Sequence, residues 1–136
     1  MSNSFGPAVG DGPVFAVGLA AKAVFRFEYP PSKRSIFYGS TWGGNKVLWI
    51  GDPSYAGPVL VRGAQLDGPH IVGFSVGGGS AAYTDLQFPP GKQQGDHGWR
   101  NWPSETRLQA SGCYAYQVDG ATFSEVIVFR AIATHP

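Results

Sequence analysis

Nowhere along this chain do apolar residues recur at i, i+3, i+4 and i+7 for more than two turns, so no segment offers the continuous stripe of a core-facing helix. Glycine and proline impose the same limit. With 20 glycines and 11 prolines in 136 residues, the chain is cut into runs of strand length separated by turn chemistry. These runs are PVFAVGLA (13–20), AVFRFEYP (23–30), KVLWI (46–50), PVLVRGAQL (58–66), HIVGFSV (70–76), YTDLQF (83–88), TRLQA (106–110), CYAYQV (113–118) and FSEVIVFRA (123–131). About nine short strands at that spacing predict an all-β fold, and the reading adopted is a single immunoglobulin-like antiparallel β-sandwich.

Alternation within the runs supports strands over helices. Phe25, Phe27 and Tyr29 point one way and Arg26 and Glu28 the other, while Leu86 and Phe88 oppose Asp85 and Gln87. The Asp119-Gly120 dipeptide predicts a two-residue hairpin turn, with Val118 facing Ala121, Tyr116 facing Phe123 and Tyr114 facing Glu125. One face then carries Tyr114, Tyr116, Val118, Phe123, Ile127 and Phe129 and is expected to be the core. Glu125 is a misfit among those aromatics, so a bulge near Ser124 is expected to turn it outward. Residues 1–12 are rich in Gly, Ser and Asn and read as a flexible lead or late-docking arm, leaving 13–136 as one domain.

Composition excludes several classes. Ten basic and nine acidic residues nearly cancel and form no runs, which leaves no electrostatic footprint for nucleic acid. A single cysteine permits no internal disulfide, and no Cys/His cluster has metal-ligand spacing, so neither metal nor cofactor is expected. No apolar run approaches the roughly 20 residues of a membrane-spanning helix, and the opening MSNSFGPAVGDGPVF reads as carrying no targeting signal.

One stretch resembles a catalytic motif, and one residue type invites the same question. Gly73-Phe74-Ser75-Val76-Gly77 matches the G-x-S-x-G nucleophile elbow, and the order Ser75, Asp85 or Asp119, His135 follows that of α/β-hydrolases. The elbow requires a helix after the serine. Here Gly78, Gly79 and Ser80 follow, which predicts a strand, a glycine loop and another strand. Cys113 lies on the less apolar side of the terminal hairpin with no cation, helix N-terminus or histidine close in sequence to activate its thiol, so it reads as a packing residue.

Aromatic residues outside the strands carry the remaining signal. Tyr38, Trp42, Tyr55, Trp99 and Trp102, together with Arg100, fall in segments rich in Gly, Pro, Ser or Asn, and are the candidate ligand-binding residues. The competing reading has Trp99 and Trp102 cover one end of the domain and rigidify a long connection. A carbohydrate-binding module needs Trp99, Trp102 and Trp42 exposed and coplanar along one groove, and a small serine hydrolase needs Ser75 or Cys113 within reach of a histidine. Exposed strand edges further predict a monomer or a weak homo-oligomer.

The runs GWRNWPSETRLQASGCYAYQVDGATFSEVIVFRA, KVLWIGDPSYAGPVLVRGAQLDG and VGDGPVF resemble a group of uncharacterised bacterial secreted proteins, many of them lipoproteins, that end in a Gly-Cys-aromatic hairpin. The G-x-Y-x-Y-x-V-x-x-G element is similar to the penultimate strand of immunoglobulin-like bacterial surface domains. The resemblance implies an extracytoplasmic β-sandwich, tethered by an N-terminal lipid in its precursor, and implies no activity; the function expected of the chain is that of a non-catalytic surface or interaction module for a protein or glycan.

Overall fold

A computed structural model describes residues 7–19, 22–91 and 96–135. Ten strands follow in order: β1 (Ala8–Val9), β2 (Val14–Val17), β3 (Val24–Glu28), β4 (Gly43–Gly51), β5 (Val59–Gln65), β6 (Gly73–Ser75), β7 (Leu86–Phe88), β8 (Arg100–Leu108), β9 (Gly112–Gly120) and β10 (Ser124–Thr134). The nine expected runs all contain strands, and β1 is added by the N-terminal arm, whose Ala8 pairs with Val17. Residues 1–6 of that arm lie outside the described residues. There is no α-helix among the described residues, and no helix among them is long and apolar enough to cross a membrane.

The strands form one open, mixed sheet. One limb runs β1-β2-β4-β8-β6 and the other β3-β10-β9-β5-β7, and a single register pair, Glu28 with Gly44, joins them through β3 and β4. The limbs meet through their apolar faces. Tyr116 of β9 lies edge-on to Trp49 of β4 at 4.9 Å between ring centroids and shares a 2.6 Å hydrogen bond between its hydroxyl and that of Thr106 in β8. Phe74 of β6 and Phe129 of β10 complete the contacts around that ring. Aromatic pairs in this geometry add to the large area that each ring removes from water.

Purely antiparallel pairing is corrected by the structure: β10 pairs with β3 in parallel, from Arg130 beside Val24 to Thr134 beside Glu28. Parallel neighbours require a long connection, and nearly the whole domain intervenes between these two segments. The eleven residues of β10 are enough to serve β9 at one end and β3 at the other.

The terminal hairpin keeps its predicted faces but not its turn. Ser124 stands opposite Asp119 and Glu125, not Ala121, opposite Val118, so the loop is the four residues 120–123 and each β9 residue meets a partner four positions later than the two-residue turn predicts. Phe123 causes the widening. Its ring packs edge-on against Tyr55 at 4.9 Å, its carbonyl accepts from the Gly120 amide, and the Tyr55 hydroxyl accepts from the Ala121 amide. Because an even shift preserves side-chain parity, Tyr114, Tyr116, Val118, Ile127 and Phe129 are all buried as expected.

Glu125 is a second correction. It stays in register opposite Val118, without a bulge, and is buried. The arm explains this: the Asp11 amide donates to its carboxylate at 3.2 Å, and Gly10 passes so close that a Cβ there would meet Glu125 Oε1 at 2.8 Å. Burial pushes the Glu125 carboxyl above its ordinary value, while the amides of Asp11, Gly12 and Val14 pull it back.

Candidate functional site

The six candidate residues do not gather in one place. Tyr55, Arg100 and Trp102 meet at the end of β8 where Gly51 pairs with Arg100, whereas Trp42 immediately precedes Gly43, which pairs with Leu108 at the other end. Eight residue steps along β4 separate those ends, about 26 Å at the rise of an extended strand.

At the first end, Arg100 is only 4% exposed. Its guanidinium lies 4.7 Å from the Trp102 ring and 5.7 Å from that of Tyr55, and donates to the carbonyls of Tyr55 and Pro89. Burial lowers its proton affinity from the ordinary arginine value. Trp102 is half-buried and stacks nearly parallel on Phe88 at 4.5 Å. It lies inside β8 instead of in a loop, because the strand begins at Arg100. Trp99 packs separately against Phe15 at 6.1 Å. Trp49 lies in the core, and Trp42 sits beyond the opposite end of β4 from Trp102.

The second end has a different character. Arg107 of β8 is fully buried and clamps two chain segments together. From residues 37–43 it contacts the Phe37 ring at 4.0 Å and donates through Nη2 to the Trp42 carbonyl and through Nε to the Gly43 carbonyl. From residues 75–81 it binds the Ser75 hydroxyl and the carbonyls of Gly79 and Ala81 through Nη1. Glu105, two residues earlier on the same side of β8, accepts from the Ser75 hydroxyl at 2.9 Å and from the amides of Gly77 and Gly78. Burial lowers the proton affinity of Arg107, and the Glu105 charge raises it.

This network explains why the G-x-S-x-G stretch builds no elbow. Ser75 is buried in β6, with its hydroxyl held between Glu105 and Arg107. Gly77, Gly78 and Gly79 have φ of +79°, +83° and +95°, a left-handed run that no right-handed helix contains and that glycine alone enters at low cost. Cys113 is half-buried, its amide bonded to Asp67 and its cross-strand neighbour Arg130. His70 bonds Gln65 through Nδ1. No group of three or more metal-ligating side chains occurs among the described residues.

Four large apolar side chains surround the clamp, each more than 50% exposed: Ile36, Tyr38, Val76 and Tyr83. Their backbones are tied together. The Gly79 amide donates to the Ile36 carbonyl, the Ser40 hydroxyl to the Ser80 carbonyl at 2.8 Å, and Phe74 and Tyr83 exchange both backbone bonds. No family model, curated protein or solved structure matches this chain. The candidate site is a pinned glycine loop bordered by exposed apolar residues, Tyr38 among them, beside the half-buried Trp42.

Sequence reasoning located Tyr38 and Trp42 but missed Arg107 and Glu105. The available signal was their spacing: Glu105 and Arg107 share one side of a strand, while Ser104, Thr106 and Leu108 occupy the other. Two charges at i and i+2 in a strand buried on both sides must satisfy each other's surroundings.

Proposed function

We propose that this chain is a non-catalytic, extracytoplasmic interaction module, an immunoglobulin-like β-sandwich whose clamped end receives an extended segment of a partner protein. The observation that carries the reading is the combination of a backbone fixed by a buried arginine with Ile36, Tyr38, Val76 and Tyr83 left facing solvent. Exposed apolar residues grouped around a preorganised loop bind at low ordering cost. Lys33 and Arg34 are exposed in the segment that carries Ile36, whereas nearby Glu28 accepts from the Ser32 amide and Glu105 is buried. The partner segment therefore places apolar anchors next to carboxylates.

The stacking of the two sheet limbs supports the sandwich reading, and the likeness of the Gly-Cys-aromatic hairpin to bacterial secreted proteins supports the location and a lipid tether in a precursor. The test is selection of a displayed library of linear peptides on the immobilised domain. Selected peptides are expected to carry acidic residues beside aromatic or aliphatic ones and to lose binding to the Y38S/V76D variant. Peptides that bind the variant equally well, or binding confined to a glycan array, would refute the reading.

A further inference from the structure

We propose that the outer face of β5, β9 and β10 is a second interaction surface, separate from the clamped end, and that it receives an apolar protein ridge flanked by carboxylates. Strand register defines this face. Val128, Ala115 and Ala64 stand side by side across the three strands, as do Val126, Gln117 and Arg62 in the row before and Arg130 and Cys113 in the row after. The Leu66 amide bonds the Cys113 carbonyl and extends that last row, and Ile71 bridges to Ala64.

Outward positions on a sheet with one solvated face are normally polar. Here Val126 and Val128, paired with Gln117 and Ala115 of β9, are 56% and 51% exposed, and Leu66 and Ile71 are also exposed. The small side chains of Ala64 and Ala115 floor a shallow furrow of about 370 Å³ between Leu66 and Val126. Such a furrow accepts a large apolar side chain from outside, as an interface pocket accepts an anchor residue.

Charge identifies the occupant. Arg62 and Arg130 lie on the face and are exposed, and Arg26 of β3, beside Ile132, extends the basic margin. Two carboxylates border the same face: Asp119 is held by Arg62 at 3.0 Å, Gln117 and Ser124, and Asp67 accepts the Cys113 amide near Arg130, so three arginines against two carboxylates leave the margin net basic. A second copy stacked on this face would bring two net-basic margins together. A partner whose apolar ridge is bordered by Asp or Glu meets both the furrow and the margin.

The test uses a displayed library of disulfide-closed hairpin peptides with randomised outward positions, selected on the immobilised domain. Selected hairpins are expected to carry Phe, Leu or Trp beside Asp or Glu. Their binding should weaken by about tenfold or more in V128E and in R130E, and weaken with added salt. The same hairpins should bind the Y38S/V76D variant normally, which separates this surface from the clamped end. Amide shifts on titration should map to residues 62–66, 113–117 and 126–130. The proposal is overturned if no hairpin is enriched, if the enriched ones are basic or neutral, if V128E and R130E bind them as the native domain does, or if sedimentation reports a dimer that V128E dissociates.

Discussion

Replacing Arg107 with methionine keeps most of the apolar stem and removes the guanidinium, which isolates the clamp from simple packing. Five donated hydrogen bonds disappear, to Gly43, Ser75, Gly79, Ala81 and Trp42. Bonds from a charged donor contribute about 1.5–3 kcal/mol each, but the carbonyls of Gly79, Ala81 and Trp42 are only partly buried and can turn to water. The bonds to Gly43 and Ser75 are buried, and Glu105 is left without its nearby cation. The sum is about 4 kcal/mol, in line with the roughly 3–5 kcal/mol measured when one partner of a buried charged network is removed. With a urea dependence of about 2 kcal/mol per molar, the unfolding midpoint should fall by about 2 M at unchanged slope. R107K should lie between, since ammonium restores the charge but not the planar fork. Adding E105Q to R107M should recover part of the loss, because the stranded carboxylate is then neutral. A fall of less than about 0.5 M for R107M at unchanged slope would refute the clamp, since so small a loss equals that of a surface substitution.

Three further outcomes follow from the packing and the titrating groups. Because burial raises the Glu125 carboxyl above its unfolded value, its contribution to stability is complete below about pH 4 and is lost as pH rises through the folded value; E125Q should therefore equal or exceed the native stability near pH 7, with the gain shrinking on acidification, as followed by urea midpoints across pH. Burial pushes the Tyr114 hydroxyl up to about 12 and that of Tyr116 higher still, so their stabilisation is intact below about pH 10 and lost above it, and in an alkaline titration their tyrosinate absorbance should rise together with loss of the far-ultraviolet β signal. W102A removes the ring that stacks on Phe88 and faces Arg100, and should cost about 3 kcal/mol in the same denaturation assay while leaving the clamped end's amide exchange unchanged.

What could be read from the chain was local and periodic. Phe25 and Phe27, Leu86 and Phe88, and the Tyr114, Tyr116 and Val118 series all bury as alternation requires, since the pleat fixes side-chain sides regardless of partner. What escaped depends on contacts between remote segments. The pairing of β3 with β10 is decided by where two distant segments enter the sheet, and the turn at Asp119 widened because Phe123 found Tyr55. Glu125 faces inward because amides more than a hundred residues away meet it.

Composition also hid the start of β8, where Trp102 and Pro103 suggested a loop. Proline is tolerated there because β6 reaches only Glu105–Arg107, leaving one side of β8 without a strand neighbour at Pro103 among the described residues. The candidate aromatics were visible as residues, but their division between two ends of β4 was not. The arginine that organises one of those ends looked like an ordinary strand charge.

Amide hydrogen exchange at Gly78 and Gly79 tests the central claim most directly, since these residues belong to a solvent-facing glycine loop whose amides bond Glu105 and Ile36. In the native protein both amides should exchange far more slowly than in an unstructured glycine chain, and in R107M that protection should collapse while Tyr116 in the core stays protected. Exchange of both glycines at the free-chain rate in the native protein would contradict a clamped, preorganised binding end.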